Sequence, residues 1–416
     1  MRSCAAAIAV FLAPWLAAQG LSFGSREARP EPEWLARTNI YEIWLNGFSE
    51  EGTLRGAIPR LDAVADLGAG VLYLGPIAKR SGIPHASPYN IADYNTIDPQ
   101  YGNEQDLHDF VARAHQLGMK VMLDIVYYHT APDGVLMQHP EGLVHTADGK
   151  VARGFWPQPL PDFHNAKVRR YLIDSLVHWV RDFSIDGFRC DVGGGVPIDF
   201  WDEARRDLDK VNRDVILLSE SDRPDDQLRA FDINYNFQYY LTLKSVLNDG
   251  APALDIRRQW EEMRRTMPRG ARLLHFSDNH DWRRAVVQFG DEAAKAASVL
   301  NFTLDGIPFL YNGQEVGDCA PTHWIERSPI HWQQPGTAGE GQAARWATEC
   351  TVVEATAVTP EAASRRGTSA SGTTPAPSRW PASPASSTRS RRPSASSSPT
   401  RAARPAATSP GAGVPP

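Results

Sequence analysis

From about Thr38 to Leu310 the chain alternates short β-rich runs with amphipathic helical stretches, and that alternation narrows its possible folds more than any other property. The strand candidates are Ile40–Leu45, Val71–Leu74, Val121–Val126, Gly187–Asp191, Ile216–Glu220, Phe231–Tyr235, Leu273–Phe276 and Pro308–Tyr311. Between them, Leu107, Phe110, Val111, Ala114 and Leu117 recur at spacings of three and four, as do Val168, Tyr171, Leu172, Leu176, Trp179 and Phe183. Such spacing gathers the apolar groups on one helix face. Strands separated by crossover helices run parallel. Eight of them in this order predict an α/β fold, a (β/α)8 TIM barrel. An open doubly wound sheet is disfavoured, because no glycine-rich phosphate loop follows the first strand. The connection after the third strand is long and rich in Pro, Gly and His, and forms a short inserted domain at about 131–161. Loops of that length are usually functional, and this one leaves from the barrel face where such enzymes keep their sites.

The ends of the chain read differently. Residues 1–20 have the form of a signal peptide: Arg2, an apolar run from Ala5 to Leu16, then small residues at Ala17, Ala18 and Gly20. A secreted or periplasmic protein is expected, with no membrane span once the signal is removed. Residues 21–335 hold the catalytic barrel. Residues 336–416 are low in complexity, and from Gln333 onward there is no Leu, Ile, Met, Phe, Tyr, Asp, Asn, Lys or His. Such a composition cannot build a packed core, so a disordered tail is expected. Two origins fit it: a Ser/Thr/Pro-rich stalk, or a shifted reading frame through GC-rich DNA, which the nucleotide sequence distinguishes. The net charge of -6 gives no sign of a nucleic-acid or polybasic membrane surface. The four cysteines form no disulfide pattern: Cys4 leaves with the signal, Cys190 lies in a buried strand, and Cys319 and Cys350 have no evident partners.

Chemistry concentrates at strand ends. Asp124-Ile-Val-Tyr-Tyr-His129 closes the third strand, Gly187-Phe-Arg189-Cys-Asp191 the fourth, Leu217-Leu-Ser-Glu220 the fifth, and Phe276-Ser-Asp-Asn279-His280-Asp281 the seventh. Residues two apart on a strand share a face, so Arg189 and Asp191 point together into the barrel mouth. A guanidinium beside a carboxylate favours its ionised form, which suits Asp191 to act as a nucleophile; a purely structural Arg–Asp ion pair is the alternative. Glu220 follows Ile216, Leu217 and Leu218, an apolar setting that raises a carboxyl pKa and suits a proton donor. Two carboxyl groups tuned in opposite directions are the working parts of glycosidic cleavage. His129, Asn279 and His280 offer hydrogen bonds to sugar hydroxyls.

These four segments resemble the signature regions of the α-amylase family (glycoside hydrolase family 13) over roughly residues 38–332. The resemblance implies a (β/α)8 barrel with a small domain after the third strand, normally followed by a β-sandwich. Neither that sandwich nor an eighth helix can be recognised in this chain. It also implies a retaining hydrolase of α-1,4-glucosidic bonds in starch-like or maltooligosaccharide substrates, with an α-glucosidase or transglycosylase as alternatives inside the family. A non-catalytic barrel or an inactive truncated product is the alternative outside it. Carried over residue by residue, Asp191 is the nucleophile, Glu220 the general acid/base and Asp281 the transition-state stabiliser. Arg189, His129 and His280 become ligands of the sugar, and Tyr89, in Pro88-Tyr89-Asn-Ile-Ala-Asp93-Tyr94, its stacking platform. Leu160-Pro161-Asp162-Phe163 is similar to the segment closing the inserted domain. Tyr128 occupies the position where many members carry a calcium-binding Asn, so no metal is expected, and no cofactor.

Overall fold

The computed structural model describes residues 23–330 and Trp332. Its strands are β1 (Ile40–Ile43), β2 (Val71–Leu74), β3 (Ala78–Arg80), β4 (Ile91–Ile97), β5 (Lys120–Ile125), β6 (Gly187–Cys190), β7 (Ile216–Ser219), β8 (Ile233–Tyr235), β9 (Arg272–His275) and β10 (Ile307–Tyr311). Eight of these close into one barrel, in the order β1-β10-β9-β8-β7-β6-β5-β2. Every neighbouring pair is parallel, as the alternation of strand and helix requires.

The expected strands match these within one or two residues. Asp191 and Glu220 lie just past the ends of β6 and β7, where the Asp191 N–H still bonds the Ile125 carbonyl at 2.9 Å and the Glu220 N–H the Cys190 carbonyl at 3.1 Å. β3 and β4 were not foreseen. They form an antiparallel pair with irregular register, and the three residues of β3, Ala78-Lys79-Arg80, carry no apolar alternation that would announce a strand.

Helices form the outer layer. Glu104–Gln116 begins with a reciprocal capping box between Asn103 and Asp106 and buries Leu107, Phe110, Val111 and Ala114. Ala166–Phe183 is capped by the Asn165 side chain, which accepts from the Lys167 N–H, and ends where Ser184 turns left-handed at φ 58°. Its buried stripe includes Leu172, Leu176, Trp179 and Phe183, each contributing about 1.5–3 kcal/mol by leaving water. The inserted segment holds two 3-10 turns, Val135–Gln138 and Pro140–Gly142. Isolated antiparallel bridges Leu143–Pro161, His145–Val151 and Arg153–Pro159 complete it.

A strap of chain ahead of β1 seals the opposite end of the barrel. Arg29 pairs with buried Asp232, whose second oxygen takes Arg205 at 2.6 Å and the Leu217 N–H at 2.7 Å. Glu31 pairs with Arg272 and Glu27 with Arg269. The expectations of a signal peptide (1–20), a low-complexity tail (336–416) and no recognisable eighth helix or sandwich all concern residues outside the described ones.

Candidate active site

Register builds the floor of the site. Asp124 on β5 lies opposite Arg189 on β6, both facing the barrel interior. Arg189 is fully buried, and its Nη1 donates to both Asp124 oxygens at 2.9 Å and to Asp191 Oδ1 at 2.8 Å. Its Nη2 stands 2.8 Å from Glu220 Oε1. One guanidinium therefore holds three carboxyl groups from three adjacent strands. Asp124 also accepts from Tyr73 Oη at 2.6 Å and Tyr89 Oη at 3.0 Å.

A second cation completes the arrangement. His280 donates from Nδ1 to Glu42 Oε1 and from Nε2 to Tyr89 Oη, each at 2.5 Å, and Nε2 is 3.4 Å from Asp281. Burial by itself would hold the imidazole down, but Asp281 and Glu42 outweigh it and push the ring up to about 9. An imidazolium at neutral pH is in keeping with oxygen atoms at both ring nitrogens. Trp44 stacks on it at 5.1 Å, nearly parallel. That indole lies against Gly75, where a Cβ would come within 2.7 Å of the ring, so only glycine leaves room for it. His129 behaves oppositely: burial lowers it to about 4, and its Nε2 donates to the Tyr89 carbonyl at 3.0 Å.

The expectation for Asp191 requires correction. Beside Arg189 it was to be held ionised, yet its pKa stands well above the ordinary carboxyl value. Burial dominates, Arg189 opposes, and Glu220, Asp124 and Asp281 add to the rise. Two cations, Arg189 and His280, face five carboxyl groups (Asp124, Asp191, Glu220, Glu42 and Asp281), so neither acid of the central pair has a full counter-charge. Glu220 is also raised, by burial first, with Arg189 opposing and Asp281 adding. Burial and neighbouring carboxyl groups thus raise both Asp191 and Glu220 above the ordinary carboxyl range, with Arg189 opposing in each case.

Backbone geometry fixes both acids. Glu220 Oε2 accepts the Val192 N–H at 2.8 Å, and the Glu220 N–H bonds the Cys190 carbonyl at 3.1 Å. Val192 adopts φ 46°, ψ 43°, a left-handed conformation that a β-branched residue rarely takes. Asn279 turns its side-chain oxygen to the Asp281 N–H at 2.9 Å and the Trp282 N–H at 3.1 Å, so it shapes the turn carrying Asp281. Tyr89 is almost buried, with Trp324 tilted against it at 5.4 Å.

All the residues singled out from the sequence thus converge on one mouth, at the C-terminal ends of β5, β6, β7 and β9 and on the segment leading into β4. The Alpha amylase, catalytic domain family matches residues 31–139 and 154–366, well over half of the chain. The chain belongs to the α-amylase family. The match extends beyond residue 335, where the change in composition had set the limit of the barrel, and it skips residues 140–153 of the inserted segment.

Relatives of this amylase-family chain include "Alpha-amylase MalA" of Haloarcula japonica, 30% identical over 314 residues, covering 72% of this chain and 47% of that protein. "Intracellular maltogenic amylase" of Bacillus subtilis is 27% identical, covering 73% of this chain and 59% of that one. The chain spans about half the length of these curated relatives. Among solved structures, an alpha-amylase from Lactobacillus plantarum is 31% identical with a TM-score of 0.69, covering 77% of this chain and 80% of its own. A maltogenic alpha-amylase from Thermotoga neapolitana is 30% identical with a TM-score of 0.69, at 78% of each chain.

Sequence reasoning passed over Glu42 as a member of this site. It is a lone carboxyl in Ile40-Tyr41-Glu42-Ile43, the only charged residue of β1 and fully buried. A charge in the middle of a strand that helices cover was the available signal.

Proposed function

We propose that this chain is a retaining glycosidase acting on α-1,4-linked glucans, with Asp191 as nucleophile, Glu220 as general acid/base and Asp281 as transition-state stabiliser. The observation that carries this reading is the shared guanidinium: Arg189 bridges Asp191 and Glu220 at 2.8 Å each. Carboxyl groups joined through the two nitrogens of one guanidinium stand side by side, in keeping with the about 5–5.5 Å of a retaining pair.

In the proposed mechanism Glu220, its pKa raised by burial, delivers its proton to the leaving glycosidic oxygen. Asp191, ionised in the substrate complex, attacks the anomeric carbon as a carboxylate, and the C–O bond to the leaving sugar breaks as the bond to Asp191 forms. Glu220, now ionised, takes a proton from the incoming water or sugar hydroxyl that releases the glycosyl group. The Asp281 carboxylate and the His280 imidazolium meet the charge and hydroxyl groups of the oxocarbenium-like transition state. His129 Nδ1, an acceptor with no hydrogen-bond partner among the described residues, suits a sugar hydroxyl, and Tyr89 the face of the ring.

The test is reducing-sugar release from soluble starch and maltooligosaccharides by wild type and Asp191→Asn. Loss of about 10⁴-fold or more in the variant is expected. Equal activity in the two proteins refutes the nucleophile. The relatives' names also favour maltose among the products, and chromatography of those products separates endo-cleavage, exo-cleavage and transfer. Export rests on residues 1–20 alone, and N-terminal sequencing of the protein from each cell fraction decides it.

A further inference from the structure

Two aromatic side chains at the rim of the mouth take no part in the chemistry above. Phe155 is 49% exposed and Trp156 39%, and they pack edge to face at 5.2 Å. Exposed aromatic surface next to a cleft marks a contact with something that covers it. The loop bearing them is closed by the Arg153–Pro159 bridge and anchored to the barrel along its C-terminal arm. The Thr130 N–H bonds the Pro159 carbonyl at 3.0 Å, and Gln158 Nε2 bonds Asn90 Oδ1 at 2.7 Å, next to Tyr89. The Trp156 ring stands 5.7 Å from His129 and 6.0 Å from Tyr128. Tyr128 is itself wedged between Gly154 and Gly195, where an added Cβ would fall within 2.9 Å of its atoms. Trp156 is thus held in place from beneath, with one side open.

We infer that Phe155 and Trp156 form a stacking platform for a glucosyl unit one or more positions away from the sugar under attack, and so set the chain-length preference of the site. The apolar C–H face of a glucopyranose lies against such a ring, and continuity with His129 and Tyr89 puts the platform on the path of a bound oligosaccharide. This inference rests on the glucan reading of the Asp191–Glu220 site.

The experiment compares wild type, Trp156→Ala and Trp156→Tyr on maltotriose and maltoheptaose, and measures maltoheptaose binding by calorimetry in the Glu220→Gln background. Trp156→Ala is expected to lower kcat/KM for maltoheptaose by about 10-fold or more while changing maltotriose far less, with Trp156→Tyr recovering most of the loss. A loss of equal size on both substrates, or on neither, overturns the platform. If wild type binds maltoheptaose without cleaving it, the catalytic reading fails, and the platform stands only when Trp156→Ala weakens that binding. If wild type does not bind maltoheptaose at all, the platform is wrong.

Discussion

Replacing Glu42 by glutamine removes a charge while keeping the shape of the side chain, and the geometry gives the consequence for His280. Glu42 approaches Nδ1 from β1, while Asp281 and the Tyr89 hydroxyl meet Nε2. Arg189 opposes protonation from β6, and Trp44 covers the ring face. An opposite charge at this range moves a pKa by about 1–3 units, so Glu42→Gln brings His280 down from about 9 toward neutrality. The direction of the stability effect follows from linkage. A histidine whose folded pKa lies above its unfolded 6.5 contributes stability that is complete below pH 6.5 and is lost as pH rises through about 9. That displacement corresponds to about 3 kcal/mol, of which the variant forfeits roughly half or more.

Glu42 itself pulls the other way, since burial raises its own pKa with His280 opposing. The informative quantity is therefore the pH dependence of the stability gap between the two proteins and not its absolute size. Urea unfolding at pH 6.5 and pH 9.5 should show the advantage of wild type over Glu42→Gln shrinking by about 1–3 kcal/mol on going to the higher pH. Histidine NMR should find His280 titrating lower in the variant. A gap that stays constant across this range, with His280 titrating near 9 in both proteins, refutes the reasoning.

Two further outcomes follow from the same network. Arg189→Met leaves Asp124, Asp191 and Glu220 buried without their shared partner, which should cost about 3–5 kcal/mol and lower Tm even where no activity is assayed; Lys at this position should recover little, because its single nitrogen cannot reproduce the planar fork that places Nη1 on Asp124 and Asp191 and Nη2 on Glu220. Val192→Gly relieves a left-handed backbone worth about 1–2 kcal/mol, partly offset by about 0.5–1 kcal/mol of glycine entropy, so Tm should hold or rise slightly while kcat falls as the N–H that positions Glu220 loosens.

How much of this could be read in the sequence depends on what a strand discloses about its faces. The reactive strand ends were legible because Asp191, Glu220 and Asp281 stand at or just beyond the ends of β-rich runs, where a barrel opens. Glu42 was not, and the reason lies in the architecture. Alternation separates a strand into two faces, but in a barrel covered by helices both faces are buried, so the pattern does not say which one looks inward. Tyr41 bonds Glu315 while its neighbour Glu42 bonds His280, and Ile40-Tyr41-Glu42-Ile43 alone favours neither arrangement. The same limit misled the reading of Asp191. Its partner two residues back, Arg189, is visible in the chain, whereas Asp124 and Glu220 share that guanidinium from other strands. The pKa of Asp191 is raised first by its burial and then by Glu220, Asp124 and Asp281, with Arg189 opposing, and of these only Arg189 lies on the same strand and is visible two residues back in the chain.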